Sequence, residues 1–310
     1  SLDYNKFFLK NTALILKEIA KNQPNLRPEM LKGNKENTEI MKYLEINQFI
    51  LLTKKRPRRG IMLKHQLINY IAELNKVKIE INNNFQDVSK QVLGIEGEPI
   101  NPFGDKIFEF LAGSAQLEGS TINAGETKDM ILNDIYPDKP KKDIIMIKNL
   151  NEAMIYLIKN IESDITIEHI KELNKLIMFG LHKNAGEYKI TQNKIQGNPS
   201  FKTASPREVA FLMNELCNKL KKINSKEECL KKSGYIHNEL QRIHPFSDGN
   251  SRTTRMVLNW LFLKYKLPIL VLKMGSYDEY MNLTKLSDKR DDKKLTYLFE
   301  MLLLHECLIN

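Results

Sequence analysis

Pro245 and Gly249 do more than any other residues to fix how this chain can fold. Ser225–Ile243 repeats apolar residues at helical spacing, and a proline excludes the residue before it from the helical region. The helix must therefore end at about His244, leaving that imidazole on a loop. Gly249 permits a tight turn that a side chain would obstruct. Asn250 or Ser251 then caps a second helix, whose apolar residues are Met256, Val257, Leu258, Trp260, Leu261 and Phe262.

The loop between these helices carries chemistry. Free amides at a helix start form an anion site. Arg252 and Arg255 lie three residues apart, so they share one helix face and raise the positive charge there. Asp248 just precedes them, where a carboxylate can hold Mg²⁺ while phosphates supply the other oxygens. With His244 as a proton acceptor, the segment from His244 to Arg255 describes a nucleotide-phosphate site.

Most of the remaining chain reads helical. Stripes at three- and four-residue spacing predict helices over Tyr4–Ala20, Thr38–Leu52 and Met62–Ile81, the last two around a basic loop, Lys54–Gly60. Further helices are predicted over Asp105–Glu118, Leu150–Glu162, Thr166–Leu181, Ser205–Ile223, Ser276–Leu286 and Lys293–Cys307. Gly186–Ile195 alternates instead, and predicts a two-stranded hairpin. Gly94–Gly104, rich in Gly, Pro and acid, divides the 310 residues into a front helical module, 1–93, and a main domain, 94–310. On that division, a piece starting near Gly94 is expected to fold and to keep any regulation encoded within it. The fold class is all-α, a helical bundle with one β-hairpin flap behind a small helical module.

Charge and composition narrow the function classes. Residues 1–90 hold 17 Lys+Arg against 9 Asp+Glu, which is most of the net charge of +10. A nucleic-acid surface on the front module stays open on this basis, but scattered lysines more often form a solvated face, and a helical hairpin around Lys54–Gly60 explains the pattern without DNA. No apolar run approaches the roughly 18 residues of a membrane span, so no membrane role is expected. The first residues do not read as a secretory signal. Cys217, Cys229 and Cys307 lie far apart with no metal-ligand spacing, which fits reduced thiols in a cytoplasm.

The segment His244-Pro245-Phe246-Ser247-Asp248-Gly249-Asn250-Ser251-Arg252-Thr253-Thr254-Arg255 resembles the Fic family signature, His-Pro-Phe-x-Asp/Glu-Gly-Asn-Gly/Lys-Arg-x-x-Arg. Ser251 departs from it, standing where Gly or Lys is usual. Gly186-Glu187-Tyr188-Lys189 looks like the start of that family's target-aligning flap, with Lys189 in place of Arg and the flap running to Ile195. Ser276–Leu286, with Tyr280, looks like the helix that presents an aromatic residue to adenine. The resemblance implies a protein adenylyltransferase. His244 takes a proton from a Ser, Thr or Tyr hydroxyl, and an ordinary imidazole pKa of about 6.5 suits that task. Asp248 holds Mg²⁺. Gly249, Asn250, Ser251 and Arg252 cradle the α- and β-phosphates of ATP, and Arg255 reaches the γ-phosphate.

Ser114-Ala115-Gln116-Leu117-Glu118-Gly119 resembles the Ser/Thr-x-x-x-Glu-Gly/Asn inhibitory motif of such proteins, on a helix over about 104–119. Gly119 caps that helix, so Glu118 sits at the negative end of its dipole and calls for a cation. Arg255 is the candidate. Ser114, four residues earlier on the same face, can steady the carboxylate. Pairing of Glu118 with Arg255 would occupy the γ-phosphate position and restrain transfer. The partners implied are a target protein with a hydroxyl side chain and, as automodification, the chain itself. A homo-oligomer is left open. Rival readings are transfer of UMP or phosphocholine, removal of AMP, a nucleotide-sensing DNA-associated regulator, and the toxin of a toxin–antitoxin pair.

Overall fold

The structure is a computed structural model that describes residues 7–23, 35–52, 60–63, 65–80, 94, 101, 104–195, 198–284 and 290–308. The front part runs α1 (Lys10–Asn22), α2 (Lys35–Ile46), β1 (Ile50–Leu52), β2 (Gly60–Met62) and α3 (Gln66–Leu74). The main part runs α4 (Asp105–Gln116), α5 (Ala124–Asn133), α6 (Lys141–Lys159), α7 (Ile167–Met178), α8 (Pro206–Lys221), α9 (Lys226–Ile243), α10 (Asn250–Lys264), a short 3₁₀ turn at Met274–Ser276, α11 (Tyr277–Thr284) and α12 (Asp292–Leu308).

α10 is the axis of the bundle. Every residue from Asn250 to Leu263 is buried, as expected of a helix enclosed on all sides. Trp260, Met256, Val257 and Phe262 are fully covered, and each such side chain stabilises the fold by about 1.5–3 kcal/mol. α9 and α7 pack against α10, so the segment joining α9 to α10 is held from both sides. Among the described residues, no helix is long and apolar enough to cross a membrane.

Several elements differ from the sequence reading. α5 was not expected, although Asn123 and Glu126 form a reciprocal capping box at its start. α6 begins at Lys141, directly after Pro140, rather than at Leu150. In the front part, Thr38–Leu52 is not one helix. Gln48 takes a left-handed conformation, with φ at 61°, which ends α2. Ile50–Leu52 then pairs antiparallel with Gly60–Met62, Leu51 opposite Ile61. Ile50-Leu51-Leu52 and Gly60-Ile61-Met62 can be read equally as helix or strand, and the turn decided it. The basic loop between the strands lies outside the described residues, as does most of the Gly94–Gly104 boundary.

The front part has its own core of Phe7, Leu16, Ile19, Ile40, Leu44 and Phe49 among others. It is also seated on the main part. Leu51 and Leu63 belong to the main core, and Gly275 N donates to Asn47 O at 2.8 Å.

Candidate active site

The α9–α10 connection has the geometry that Pro245 and Gly249 demand. α9 ends at Ile243, and His244 sits in the left-handed region at φ 48°, ψ 60°. Its amide still donates to Leu240 O at 2.9 Å. A non-glycine residue there costs roughly 1–2 kcal/mol, and the turn swings the imidazole off the helix axis. His244 Nδ1 lies 3.2 Å from Gln241 O. A carbonyl only accepts, so Nδ1 carries the proton of the neutral ring and Nε2 carries the lone pair.

Gly249 closes the loop at φ 77°. A Cβ there would lie 2.6 Å from Met178 Sδ, so both conformation and space require glycine. The capping expected of Asn250 or Ser251 does not occur, because Gly249 occupies the cap position without a side-chain bond to the first turn of α10. Asn250 turns back instead: its Oδ1 accepts from Phe246 N at 2.9 Å and its Nδ2 donates to Phe246 O at 2.7 Å. Ser251 Oγ is 3.5 Å from Gln241 Oε1, so its hydroxyl points toward α9 and leaves the backbone approach uncrowded. The amides of the first turn therefore keep their anion-binding capacity.

Two arginines flank that start. Arg252 is 5% exposed. Its Nη2 lies 3.5 Å from Asp248 Oδ1, while its Nε and Nη1 have no hydrogen-bond partner. Burial pulls its pKa down. A buried guanidinium with three unmet N–H bonds on two nitrogens is a site arranged for an anion. Arg255 is 4% exposed and fully engaged. Its Nε donates to Ser114 Oγ at 2.9 Å, and its Nη2 to Ser114 O at 3.0 Å and Glu118 Oε1 at 2.9 Å. Burial opposes its charge, but Tyr280 and Glu118 outweigh that, and its pKa is raised. The α4 residues expected to meet Arg255 do so, with one difference: Ser114 bonds the arginine directly. Gly119 ends the α4 segment at φ 91°.

Asp248 is the exposed member, its carboxylate 57% accessible, with Oδ1 accepting from Gly249 N at 2.6 Å. Among the described residues no cluster of three or more His, Cys, Asp or Glu could cage a metal. One outward carboxylate beside a phosphate nest suits Mg²⁺, which keeps waters and takes phosphate oxygens rather than a protein cage.

The flap segment lies against the loop. Tyr188 bridges Phe246, and Lys189 N donates to Pro245 O at 2.8 Å. Asn193 Nδ2 reaches both Phe246 O and Ser247 O at 3.2 Å. Among the described residues from Gly186 to Ile195 there is no regular two-stranded ladder; this single bridge replaces it, because the segment spends its backbone and amide groups on the motif loop. Ile195 closes the segment half-buried. Lys189 Nζ is buried between Thr203 Oγ1 and Ile243 O, at 3.2 and 3.3 Å, and burial pulls its pKa down to about 8.

Two placements go beyond the sequence reading. Tyr280 is 2% exposed, with its hydroxyl 2.7 Å from His237 Nε2 and facing Arg255. It does not present an open aromatic face; it packs behind the arginine. Asn174 was missed altogether. From α7 its Nδ2 donates to Asp248 O at 3.0 Å and Thr253 Oγ1 at 3.2 Å, and its Oδ1 accepts from Gly186 N at 2.9 Å. One buried amide thus joins loop, helix and flap. Its signal was present: an asparagine on the apolar stripe of α7, beside Leu173 and Ile177.

Comparisons with known proteins agree with this geometry. The Fic/DOC family model matches residues 164–262, which contain the flap, α9, the loop and most of α10. The chain is similar to the protein adenylyltransferase Fic of Drosophila persimilis, 25% identical over 189 residues, covering 59% of this chain and 37% of that protein. It is likewise similar to the same-named protein of Aedes aegypti, 26% identical over 187 residues, covering 57% and 36%. The chain thus spans well under half the length of these curated relatives. Among solved structures, a Fic-1 fragment from C. elegans superposes with a TM-score of 0.61 at 18% identity, over 71% of this chain and 68% of that one. A Fic domain containing signaling protein from Bacteroides thetaiotaomicron superposes with a TM-score of 0.55 at 25% identity, over 72% and 91%. The signature at His244–Arg255, the model match over residues 164–262 and the shared helical fold together make that region of the chain similar to the Fic/DOC family.

Proposed function

We propose that this protein transfers AMP from ATP to a Ser, Thr or Tyr hydroxyl of another protein. The observation that carries the proposal is Arg252, a buried guanidinium with two unpartnered nitrogens at an uncapped helix start, on the same loop-and-helix segment as His244. Such a group favours a closer anion than the exposed Asp248 supplies, and the α-phosphate is the anion that a base at His244 would need nearby.

The chemistry follows from these positions. The target hydroxyl gives its proton to His244 Nε2, and its oxygen attacks the α-phosphorus. A P–O bond to the target forms, the bond from the α-phosphorus to the β-bridging oxygen breaks, and pyrophosphate leaves. The amides of Asn250 and Ser251, with Arg252, hold the α- and β-phosphate oxygens in line, which is most of what phosphoryl chemistry asks of a protein. Asp248 would hold Mg²⁺, whose charge offsets that of the departing pyrophosphate. The segment from Tyr188 to Ile195 would align the target by backbone pairing. Names of the relatives, protein adenylyltransferase, support the reaction class.

The Arg255–Glu118 ion pair supports self-restraint. It commits the guanidinium that would bind the γ-phosphate, so ATP settles with its α-phosphate displaced from in-line attack. His244→Ala tests the reaction: transfer should disappear while ATP binding, which rests on Asp248 through Arg255, persists. Transfer at the normal rate by that variant would remove His244 from the mechanism.

A further inference from the structure

The segment Leu270–Ser276 forms a strap between the front part and the inhibitory helix α4. On its front side it is clamped by Gln48. The Gln48 side chain is fully buried; its Nε2 donates to Val271 O at 3.1 Å, and its Oε1 accepts from Lys273 N and Ser276 Oγ, both at 2.9 Å. At Gly275 the two backbones touch: a Cβ would lie 2.2 Å from Phe49 N and 2.3 Å from Gln48 C. The left-handed turn at Gln48 makes this possible, and it is an uncommon conformation for glutamine. So much built geometry at one junction is more than a linker between independent modules requires.

The other side of the strap faces the ion pair. Lys273 Nζ pairs with Glu109 Oε2 of α4 at 2.9 Å. A Cβ at Gly113 of α4 would lie 2.4 Å from Leu272 O, so helix and strap are in direct backbone contact. Leu270 and Leu272 line a small cavity with Phe110, Ser114, Asn259 and Arg255 itself. Beyond the strap, α11 carries Tyr280 to Arg255, and Asp278 of the same helix lies 3.8 Å from His65 of the front part. The front part thus reaches Arg255 through the strap and α4, and through α11.

We propose that the front part sets the brake: Gln48 fixes the strap, the strap fixes α4 and α11 around Arg255, and whatever releases the enzyme acts by loosening the front part. This rests on the transferase reading above. It also replaces the expectation that residues 94–310 keep self-inhibition by themselves, since that piece lacks Gln48.

The test uses the full chain with Gln48→Ala, Glu118→Gly and the double variant. Two quantities are read: incorporation of label from α-labelled ATP, and amide hydrogen exchange across residues 105–118. Gln48→Ala should raise incorporation at least about fivefold, the low end of a regulatory coupling, and should speed exchange in α4. In the Glu118→Gly background, Gln48→Ala should add nothing to incorporation, because the brake is already absent. Unchanged incorporation and exchange overturn the proposal. So does an equal loss of incorporation in both backgrounds, which is the mark of simple structural damage. If Gln48→Ala does not fold, Lys273→Ala removes the ion pair that ties the strap to α4 and carries the same expectations. If Glu118→Gly incorporates no label at all, the transferase reading fails, and exchange in α4 alone then decides the coupling.

Discussion

Arg252 allows a prediction in which stability and function move in opposite directions. Arg252→Met keeps most of the aliphatic volume, removes a buried charge and removes two donors that have no partner. A buried donor left unmet costs about 1–3 kcal/mol. Exchanging poorly compensated buried ions for apolar groups of similar size has gained about 1–4 kcal/mol elsewhere. The contact surrendered is weak, because Asp248 lies 3.5 Å away and is largely exposed. The variant without nucleotide should therefore be about 1–3 kcal/mol more stable than the wild type. For a chain of this size that is about 1.5–5 °C in Tm. With ATP at about a thousand times its Kd, the wild type should gain about 4.1 kcal/mol, and the variant should gain little. Thermal unfolding with and without ATP reads both effects, and the order of the two proteins should reverse on adding nucleotide. A variant less stable than the wild type without nucleotide, or one that keeps the full ATP shift, would refute the idea that Arg252 waits for a phosphate.

Two further outcomes follow from neighbouring contacts. Glu118→Gly should raise transfer roughly 5- to 150-fold, the span of a 1–3 kcal/mol coupling. Arg255→Ala should not mimic it, and the double variant should resemble Arg255→Ala, as measured by automodification; equal rates for wild type and Glu118→Gly would reduce the pair to a structural contact. Lys189 gives a pH signature. Its folded pKa of about 8 lies below the ordinary 10.5, so between those values the unfolded chain binds more protons and stability rises with pH. Relative to Lys189→Met, the wild type should gain up to about 3 kcal/mol from pH 7.5 to 10.5, at about 1.4 kcal/mol per pKa unit. Urea unfolding of both proteins across that range checks it, and a difference independent of pH would show that Lys189 is not buried as described.

The sequence reveals the site more fully than the fold around it. Pro245, Gly249 and the spacing of Arg252 and Arg255 are local constraints, and local constraints survive into any tertiary structure. The Glu118–Arg255 pair was legible for a similar reason, since a carboxylate at a helix C-terminus needs a cation. What escaped notice depends on distant partners. The Gln48 clamp, with Val271 and Ser276 as partners, joins positions more than two hundred residues apart, and nothing near Gln48 announces it. Asn174 and Tyr280 were readable only as a polar residue on an apolar stripe and an aromatic on a helix; their partners came from packing. The β1–β2 pair shows the same limit, because short apolar runs fit helix and strand alike.

The central claim is that the α-phosphate ends on a protein, and it can be met directly. The Glu118→Gly variant is incubated in a cell lysate with ATP labelled at the α- or the γ-phosphate, with a His244→Ala, Glu118→Gly control. The account predicts protein labelling from the α-label, none above background from the γ-label, and loss of labelling in the control. Labelling from the γ-phosphate alone, or α-labelling undiminished without His244, would contradict it.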